Sequence, residues 1–187
     1  PIRWGLTGTI PKEKFEFESI HASLGPVIGE ISAKELQDKG VLAQCHVNIV
    51  QLLDTQVHSN YQEELKYLVT NQDRLEYLGK LLNTIKQSGN TLILVDRISA
   101  GEQLQALIPE STFVKGDVKL KDRKDAYDEI NEGTNHVVIA TYGVAAVGIN
   151  IPRIFNLVLI EPGKSFVRVI QSIGRGVRKA KDKDFVQ

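Results

Sequence analysis

The sequence predicts an α/β fold: an open parallel sheet with helices on both faces, preceded by a less regular N-terminal segment. From residue 91 onward, apolar runs of four or five residues alternate with longer stretches whose apolar residues recur at helical spacings. The short runs are apolar almost throughout, as in strands that are covered on both faces. Such sheets bind ligands at the carboxyl ends of their strands, so functional residues are expected in the loops that follow the strands.

The elements of this sheet follow one another in a regular order. Residues 61–89 place leucines at helical spacings, with Asn71 as a helix N-cap and Gly89 as the stop. The predicted strands are TLILV (91–95), TFVK (112–115), HVVIA (136–140) and NLVLI (156–160). The helices between or after them are AGEQLQALI, RKDAYDEINEG and FVRVIQSIGRGV.

Residues 1–60 are less regular. A turn is predicted at residues 7–9, and ISAKELQDKG predicts a short helix opened by Ser32 and closed by Gly40. HVNIVQLL alternates as a strand does, and the final DFVQ alternates like the beginning of another strand. Because the chain holds no methionine and begins at a proline, we expect it to be part of a longer protein.

Composition bounds the function. With 42% hydrophobic and 25% charged residues, the 187-residue chain predicts one compact domain with an extension. Its 23 basic and 23 acidic residues argue against a protein that coats nucleic acid wholesale. From residue 163 onward, however, seven Lys or Arg stand against two Asp, which leaves a local basic patch open. These cations are Lys164, Arg168, Arg175, Arg178, Lys179, Lys181 and Lys183.

The single cysteine, Cys45, excludes an internal disulfide and a cysteine metal cluster and favours a cytoplasmic setting. It stands beside His46 in an apolar stretch, which favours a buried structural cysteine over a nucleophile. No apolar run has the length of a membrane span, so no membrane partner is expected.

The tripeptide Gly163-Lys164-Ser165 matches the end of a phosphate-binding P-loop. That loop needs a further glycine five positions before the Gly-Lys pair, so that successive backbone N–H groups surround the phosphates. Val158 stands there, inside a predicted strand. The sequence therefore predicts that these residues form an ordinary loop.

Polar residues follow several of the predicted strands. Asp96 follows TLILV, and without a P-loop a solvated loop residue is preferred there to a magnesium ligand. Arg97 and Ser99 are candidate phosphate donors, with Ser99 as a helix N-cap the alternative. Thr141 and the backbone after it suit an anionic backbone or a nucleotide, whereas Gly143 and Gly148 also suit tight packing.

A Q-x-x-G-R-x-x-R pattern lies near the end of the chain. On a helix, the spacings of four and three residues place Gln171, Arg175 and Arg178 on one face. A guanidinium is permanently charged and makes two-point contacts with phosphate oxygens, so paired arginines suit a γ-phosphate. The alternative is a solvated basic helix end, which the helix dipole favours.

In this order, TGT, LILVDR, Gly116, ATYGVAAVGINIP and QSIGRGVR resemble the C-terminal RecA-like motor domain of superfamily 2 helicases. The resemblance covers nearly the whole chain and is most specific in its last two motifs. Residues 7–9 resemble motif III, 91–99 motif IV, 140–152 motif V and 171–178 motif VI. Many relatives have Ser-Ala-Thr in motif III, so TGT departs from the pattern at Thr7 and Thr9.

The resemblance implies a role for each motif. Arg175 and Arg178 would be arginine fingers, and Gln171 would order the attacking water. Gly148 and Asn150 would lie near the nucleotide. The nucleic-acid backbone would be held by Thr141, Arg97 and Gly116, and the two domains would be coupled through Thr7, Gly8 and Thr9.

The resemblance also implies partners. ATP and Mg²⁺ would be bound mainly by an upstream RecA-like domain of the same protein, and no metal site is expected in this chain. Residues 1–60 would be the end of that first motor domain and a connecting segment, and 61–187 a second domain truncated at its C-terminus. YQEELKYLVTNQDRLEYLGKLL and QSIGRGVRKAKDKDFVQ resemble phage helicases, which implies DNA as partner, branched or duplex, or an RNA–DNA hybrid, in the host cytoplasm.

Two other functions stay open on the sequence alone. One is a translocase of a restriction or remodelling enzyme, which pumps duplex DNA without separating its strands. The other is a non-enzymatic module that binds nucleic acid or a protein through its basic C-terminal helix.

Overall fold

A computed structural model describes residues 2–116, 120–146, 151–161 and 163–187. The helices are α1 (Lys14–Leu24), α2 (Ala33–Asp38), α3 (Tyr61–Thr70), α4 (Gln72–Ile85) with a 3-10 turn at Lys86–Ser88, α5 (Ile98–Leu107), α6 (Leu120–Glu132), α7 (Tyr142–Ala146) and α8 (Phe166–Gly176). The strands are β1 (Gln44–Cys45), β2 (Thr91–Val95), β3 (Thr112–Val114), β4 (Val137–Thr141), β5 (Asn156–Leu159) and β6 (Phe185–Val186).

Four strands form the main sheet, in the order β3-β4-β2-β5, and all of them are parallel. The register pairs Ile93 of the central strand β2 with Ile139 on one side and with Val158 on the other. Each of these strands lies at a predicted position, with bounds shifted by no more than one residue. The predicted open parallel sheet is therefore confirmed.

Alternate residues of the central strands serve two separate cores. Ile93, Val95 and Ile139 pack with the helices α3, α4 and α5 on one face. Leu92 and Leu94 pack on the other face with residues of α6 and α7. The residues from Leu92 to Val95 are at most 1% exposed, and burying each such side chain contributes about 1.5–3 kcal/mol to folding. A strand buried on both faces has no polar side, which explains its unbroken apolar run.

Hydrogen-bonding side chains seal the amino-terminal edge of the sheet. Asn156 Nδ2 donates to the carbonyls of Ile85 and Gly89, each at 3.1 Å, and to Thr91 Oγ1 at 3.0 Å. Asn90 Nδ2 donates to the Ile130 carbonyl at 2.8 Å. Because these buried amides have partners, this edge is closed, and the opposite edge is the one that presents loops to ligands.

Helix ends follow the predicted signals in most places. Asn71 Oδ1 accepts from the Arg74 N–H at 2.8 Å and caps α4, and Ser32 caps α2 through the Glu35 N–H at 3.1 Å. Gly89 ends the turn after α4 with a φ of 136°, which favours glycine. The predicted N-cap at Ser99 is wrong, because α5 begins one residue earlier, at Ile98.

The N-terminal segment differs from the prediction in two ways. HVNIVQLL forms no strand: pairing with β6 ends where the His46 N–H donates to the Val186 carbonyl at 3.0 Å, and the apolar residues beyond, such as Ile49, are exposed. A strand needs a partner edge, and alternation alone does not supply one. In addition, α1 forms where no helix was predicted, and it buries none of its residues.

The last residues form the predicted strand. β6 pairs in parallel with β1, and the Gln187 N–H donates to the Phe155 carbonyl at 3.1 Å, beside the edge strand β5. The N-terminal segment and the chain end therefore meet next to α8. Among the residues that the structure describes, no helix has the length and apolar character to cross a membrane.

Candidate functional site

A cleft of about 300 Å³ lies between α7 and α8. α7 begins directly after β4, and α8 is the helix that follows β5, so the cleft lies at the carboxyl edge of the sheet. The described residues that line it are Tyr142, Gly143, Ala145, Ala146, Ser165, Val167, Arg168, Gln171, Ser172 and Arg175.

Gln171 and Arg175 of the Q-x-x-G-R-x-x-R pattern both line this cleft. They lie one helical turn apart on α8 and therefore share a face. Arg175 Nη2 donates to the Ala146 carbonyl at 3.0 Å, so its side chain spans the cleft from α8 to the end of α7. The structure thus brings together two of the three residues to which catalytic roles were given.

Arg178 lies elsewhere, and its predicted place on the helix is wrong. α8 ends at Gly176, because Val177 leaves the helical conformation, and Arg178 instead forms an isolated bridge with Leu42. It is half-buried and is not among the described residues that line the cleft. Burial and then the positive charge of Arg175 lower the pKa of Arg178.

Sequence reasoning missed Arg168 and Tyr142 in the same cleft. Arg168 Nη1 donates to Asp96 Oδ1 at 2.8 Å, and its guanidinium carbon lies 5.3 Å from the centroid of the Tyr142 ring. The Tyr142 hydroxyl donates to the Ile160 carbonyl at 3.1 Å, and burial raises its pKa. Arg168 stands three residues before Gln171, so helical spacing alone could have placed it on this face. Asp96 is consequently ion-paired and not merely solvated.

Gly163-Lys164-Ser165 form the turn and cap that introduce α8. Gly163 has a φ of 68°, in the left-handed region that favours glycine. Ser165 Oγ accepts from the Arg168 N–H at 3.2 Å, the geometry of a helix N-cap. Local backbone structure therefore accounts for this tripeptide, in agreement with the prediction that it is no P-loop.

The three residues expected to hold a nucleic-acid backbone follow three neighbouring strands. Arg97, Thr141 and Gly116 come after or at the ends of β2, β4 and β3, which are adjacent in the sheet. Arg97 Nη2 donates to Gln62 Oε1 at 3.2 Å, and Thr141 Oγ1 accepts from the Val144 N–H at 3.4 Å. Because parallel strands end at one edge, these residues form a row there.

The row ends in an acid at the fourth strand. Glu161 follows β5, and its Oε1 lies 2.6 Å from Arg74 Nη2. Burial raises the pKa of Glu161, an effect that the charge of Arg74 partly offsets. The carboxyl edge therefore carries one guanidinium, one hydroxyl and one glycine backbone after its first three strands. After the fourth strand it carries the ion pair of Arg74 and Glu161.

Residues 7–9 form the predicted turn but lie outside the cleft. Thr7 Oγ1 accepts from the Thr9 N–H at 3.2 Å and donates to the Thr9 carbonyl at 2.9 Å. Gly8 between them is exposed. Three residues further on, Lys12 Nζ lies 3.9 Å from the ring centroid of Phe166, the first residue of α8. The N-terminal segment thus contacts the helix that carries Gln171 and Arg175.

Two further sequence predictions remain. Gly148 and Asn150, expected near the nucleotide, lie outside the described residues, so that prediction stays a prediction. Cys45 is half-buried, and burial raises the pKa of its thiol, the opposite of what activates a cysteine nucleophile.

Comparisons with known proteins identify the family of this chain. The family described as Helicase conserved C-terminal domain matches residues 73–180. The chain is 24% identical over 189 residues to the ATP-dependent DNA helicase uvsW of Enterobacteria phage T4, covering 95% of this chain and 38% of that protein. It is 25% identical over 205 residues to Putative helicase 22 of Sulfolobus islandicus filamentous virus (isolate Iceland/Hveragerdi), covering 97% of this chain and 36% of that protein.

The fold is similar to the crystal structure of T4 UvsW, with a TM-score of 0.58 and 27% identity over 68% of this chain and 27% of that one. The chain spans less than two fifths of the length of the two curated relatives, the phage and the archaeal virus helicase. The family match covers more than half of the residues of this chain. The chain therefore belongs to the helicase conserved C-terminal domain family, the C-terminal RecA-like motor domain of superfamily 2 helicases.

Proposed function

We propose that this chain is the second motor domain of an ATP-dependent DNA helicase that remodels branched DNA in recombination and repair. Its reactions would be branch migration, fork regression and the unwinding of RNA–DNA hybrids. The observation that carries the proposal is the cleft in which Gln171 and Arg175 of the Q-x-x-G-R-x-x-R pattern stand one helical turn apart.

The cleft suits the phosphate end of a nucleotide and not a metal. Its described lining includes the guanidinium groups of Arg168 and Arg175 and no Asp or Glu. Cationic, hydrogen-bond-donating walls attract an anion, whereas Mg²⁺ needs carboxylate or carbonyl oxygens. We therefore assign Mg²⁺ and most contacts with ATP to an upstream motor domain, and the lack of a P-loop pattern in this sequence supports that assignment.

Bound ATP would supply the free energy for movement, and this chain's residues would govern when that energy is released. A guanidinium has five N–H donors, so the bond from Arg175 to Ala146 is compatible with a two-point contact to phosphate. In that contact Arg175 offsets charge that develops on the transferred group, a contribution worth about a thousand-fold or more in turnover. Gln171, one turn earlier, would orient the attacking water.

Arg178 would act beside Arg175 and not along the same helical face. Burial and then the charge of Arg175 lower the pKa of Arg178, which supports a shared role for the two cations. Domain closure would bring both to the phosphate that the upstream domain holds. The N-terminal segment, which contacts the start of α8 through Lys12, would transmit that closure from residues Thr7, Gly8 and Thr9.

The row at the carboxyl edge would hold the DNA. Arg97 offers a guanidinium, Thr141 a hydroxyl and Gly116 an exposed backbone in the loop after β3. These groups suit phosphate oxygens, and phosphate contacts carry no base sequence. The helicase would therefore recognise the shape of DNA rather than its sequence. Gly148 and Asn150 are kept as proposed nucleotide neighbours on the resemblance alone.

The test is DNA-stimulated ATP hydrolysis by the protein that includes its upstream motor domain. We expect Arg175→Ala and Arg178→Ala each to reduce turnover by about a thousand-fold, because each removes charge at the γ-phosphate, while DNA binding is retained. Lys80→Ala, which removes an exposed cation from α4, is the matched control and should turn over normally. Forked DNA should stimulate hydrolysis more than linear duplex of the same length.

Other outcomes would select other functions. Unchanged turnover in both arginine variants would make the C-terminal segment a binding surface and refute the proposed fingers. Turnover that collapses as expected, but with equal stimulation by linear duplex and no strand displacement, would instead indicate a duplex translocase.

A further inference from the structure

Lys183 is buried as completely as the residues of the apolar cores. It is 1% exposed and is the largest of the fully buried side chains in the described part of the chain. Lysine is almost never buried to this extent unless its charge is compensated, because removing an ammonium from water costs several kcal/mol. The basic patch expected near the chain end therefore does not include Lys183, and its burial needs an explanation of its own.

The ammonium group donates to three backbone carbonyls from two segments. Lys183 Nζ lies 2.9 Å from the Arg178 carbonyl oxygen and 3.0 Å from that of Pro152, and it also donates to the Gly176 carbonyl. All three N–H groups of an ammonium are thereby accounted for. No carboxylate is among these partners, so the site is built from backbone oxygens alone.

Two of these oxygens lie at or just beyond the end of α8, the helix that carries Arg175. Gly176 is the last residue of α8, and the last carbonyls of a helix have no partner within it. They also carry the negative end of the helix dipole, where a cation is stabilising. Lys183 thus binds the carbonyl of the last residue of α8 and the carbonyl of Arg178 just beyond it. Arg175 lies on the helix immediately before this end.

The third oxygen belongs to a second segment that resembles a helicase motif. Pro152 ends the segment 140–152, which resembles motif V, whereas residues 171–178 resemble motif VI. One buried side chain therefore binds both segments at once. The backbone around it is fixed as well, because the Lys183 N–H donates to the Ala180 carbonyl at 3.1 Å and the Ala43 N–H to the Val177 carbonyl at 2.8 Å.

We propose that Lys183 is a positioning residue for ATP turnover, which holds the end of α8 against Pro152 and thereby sets where Arg175 and Arg178 stand. The inference rests on the proposed function, since it assumes that these arginines act on the nucleotide. A displacement of about 1 Å in a catalytic group costs on the order of a hundred-fold in rate. Lys183 itself touches no substrate.

The experiment compares Lys183→Met with its parent in the protein that includes the upstream motor domain. Methionine has a similar length and no charge, so it keeps the packing and removes the three bonds. We expect kcat for ATP to fall roughly ten- to a hundred-fold, with KM and DNA binding changed less than about three-fold. Lys80→Met, at an exposed lysine, is the control and should match the parent.

A double variant separates positioning from general loss of structure. If Lys183 acts through the two arginines, adding Lys183→Met to the double variant Arg175→Ala, Arg178→Ala will slow turnover no further, because the effects of residues that act as a unit are not additive. Lys183→Gln, which keeps an N–H donor on a shorter side chain, replaces the methionine variant if that protein does not fold.

Each result decides one claim. Parent-like kcat in a folded Lys183 variant, or a further loss of turnover when Lys183→Met is added to the double arginine variant, overturns the positioning role. If Arg178→Ala and Arg175→Ala leave turnover intact, the proposed function fails first, whatever Lys183→Met does.

Discussion

At the scale of single residues, the titration of Lys183 is a consequence of its burial. Burial lowers its pKa from 10.5 to about 8, and the neighbouring Cys45 offsets part of this effect. Between about pH 8 and pH 10.5, the unfolded chain therefore binds a proton that the folded chain does not. Where the unfolded state binds more protons, stability rises with pH.

This sign gives a prediction for stability. Across that interval the free energy of unfolding of the natural chain should rise, relative to that of Lys183→Met, by up to about 1.4 kcal/mol per pH unit. Urea unfolding of both chains at several pH values measures the difference, and the common titration of tyrosines largely cancels in it. Parallel curves for the two chains over this range would show that the ammonium stays protonated in the folded state.

The residues of the site were unequally predictable from sequence. The face shared by Gln171 and Arg175 follows from helical spacing, and the spacing holds in the structure. Arg178 departs from the face because α8 ends two residues before it, close to where the predicted helix FVRVIQSIGRGV ends. Lys183 was grouped with exposed cations because its burial depends on carbonyls that only the folded backbone brings together.

At the scale of elements, the beginning of α8 separates two interpretations of Gly-Lys-Ser. In a P-loop the lysine contacts nucleotide phosphates, and removing it abolishes ATP binding. In the structure Lys164 is exposed in a turn, while Ser165 caps the helix. The helix that carries the cleft residues therefore depends on the serine and not on the lysine.

Two variants test this assignment. Lys164→Ala should leave the KM for ATP and turnover unchanged, because its side chain takes no part in the cleft. Ser165→Ala should lower the free energy of unfolding by about 1 kcal/mol, the usual cost of losing an N-cap. Steady-state kinetics and urea unfolding measure the two effects. Loss of ATP binding in Lys164→Ala would restore the phosphate-binding interpretation.

The elements themselves were predictable where burial is two-sided. Apolar runs such as TLILV pack on both faces of the sheet, so their uniformly apolar composition is enough to predict a buried strand. HVNIVQLL has the same kind of residues, but a strand also requires a neighbouring edge, and the structure gives one only as far as His46. The pairing of β1 with β6 joins residues about 140 positions apart and has no local signal.

At the scale of the whole molecule, the two edges of the sheet have different tasks. The amino-terminal edge is sealed by Asn90 and Asn156, whose amides bind backbone from helices and strands around them. The carboxyl edge carries the cleft and the row of Arg97, Thr141 and Gly116. A parallel sheet produces this division because all of its strands end on one side. Nucleotide and nucleic acid would therefore be held by loops of one rigid support.

This arrangement predicts what the 187-residue chain does by itself. The proposed function gives Arg175 and Arg178 to a γ-phosphate, but the sequence has no P-loop to hold that phosphate, so we expect no appreciable ATP hydrolysis with or without DNA. It should still bind DNA weakly through phosphates, without preference for base sequence, and binding should fall steeply as salt rises. Phosphate release and fluorescence anisotropy with two unrelated sequences measure both.

The matched comparison is the same chain joined to its upstream motor domain, in which hydrolysis should appear and respond to DNA. Appreciable turnover by the 187 residues alone would contradict the divided site, because Arg175 and Gln171 would then act on a nucleotide held within this chain. Tight binding to one DNA sequence would contradict the prediction of sequence-independent binding, because the row at the carboxyl edge would have to contact bases. The predictions on hydrolysis and on DNA binding rest on different residues, so either can fail while the other stands.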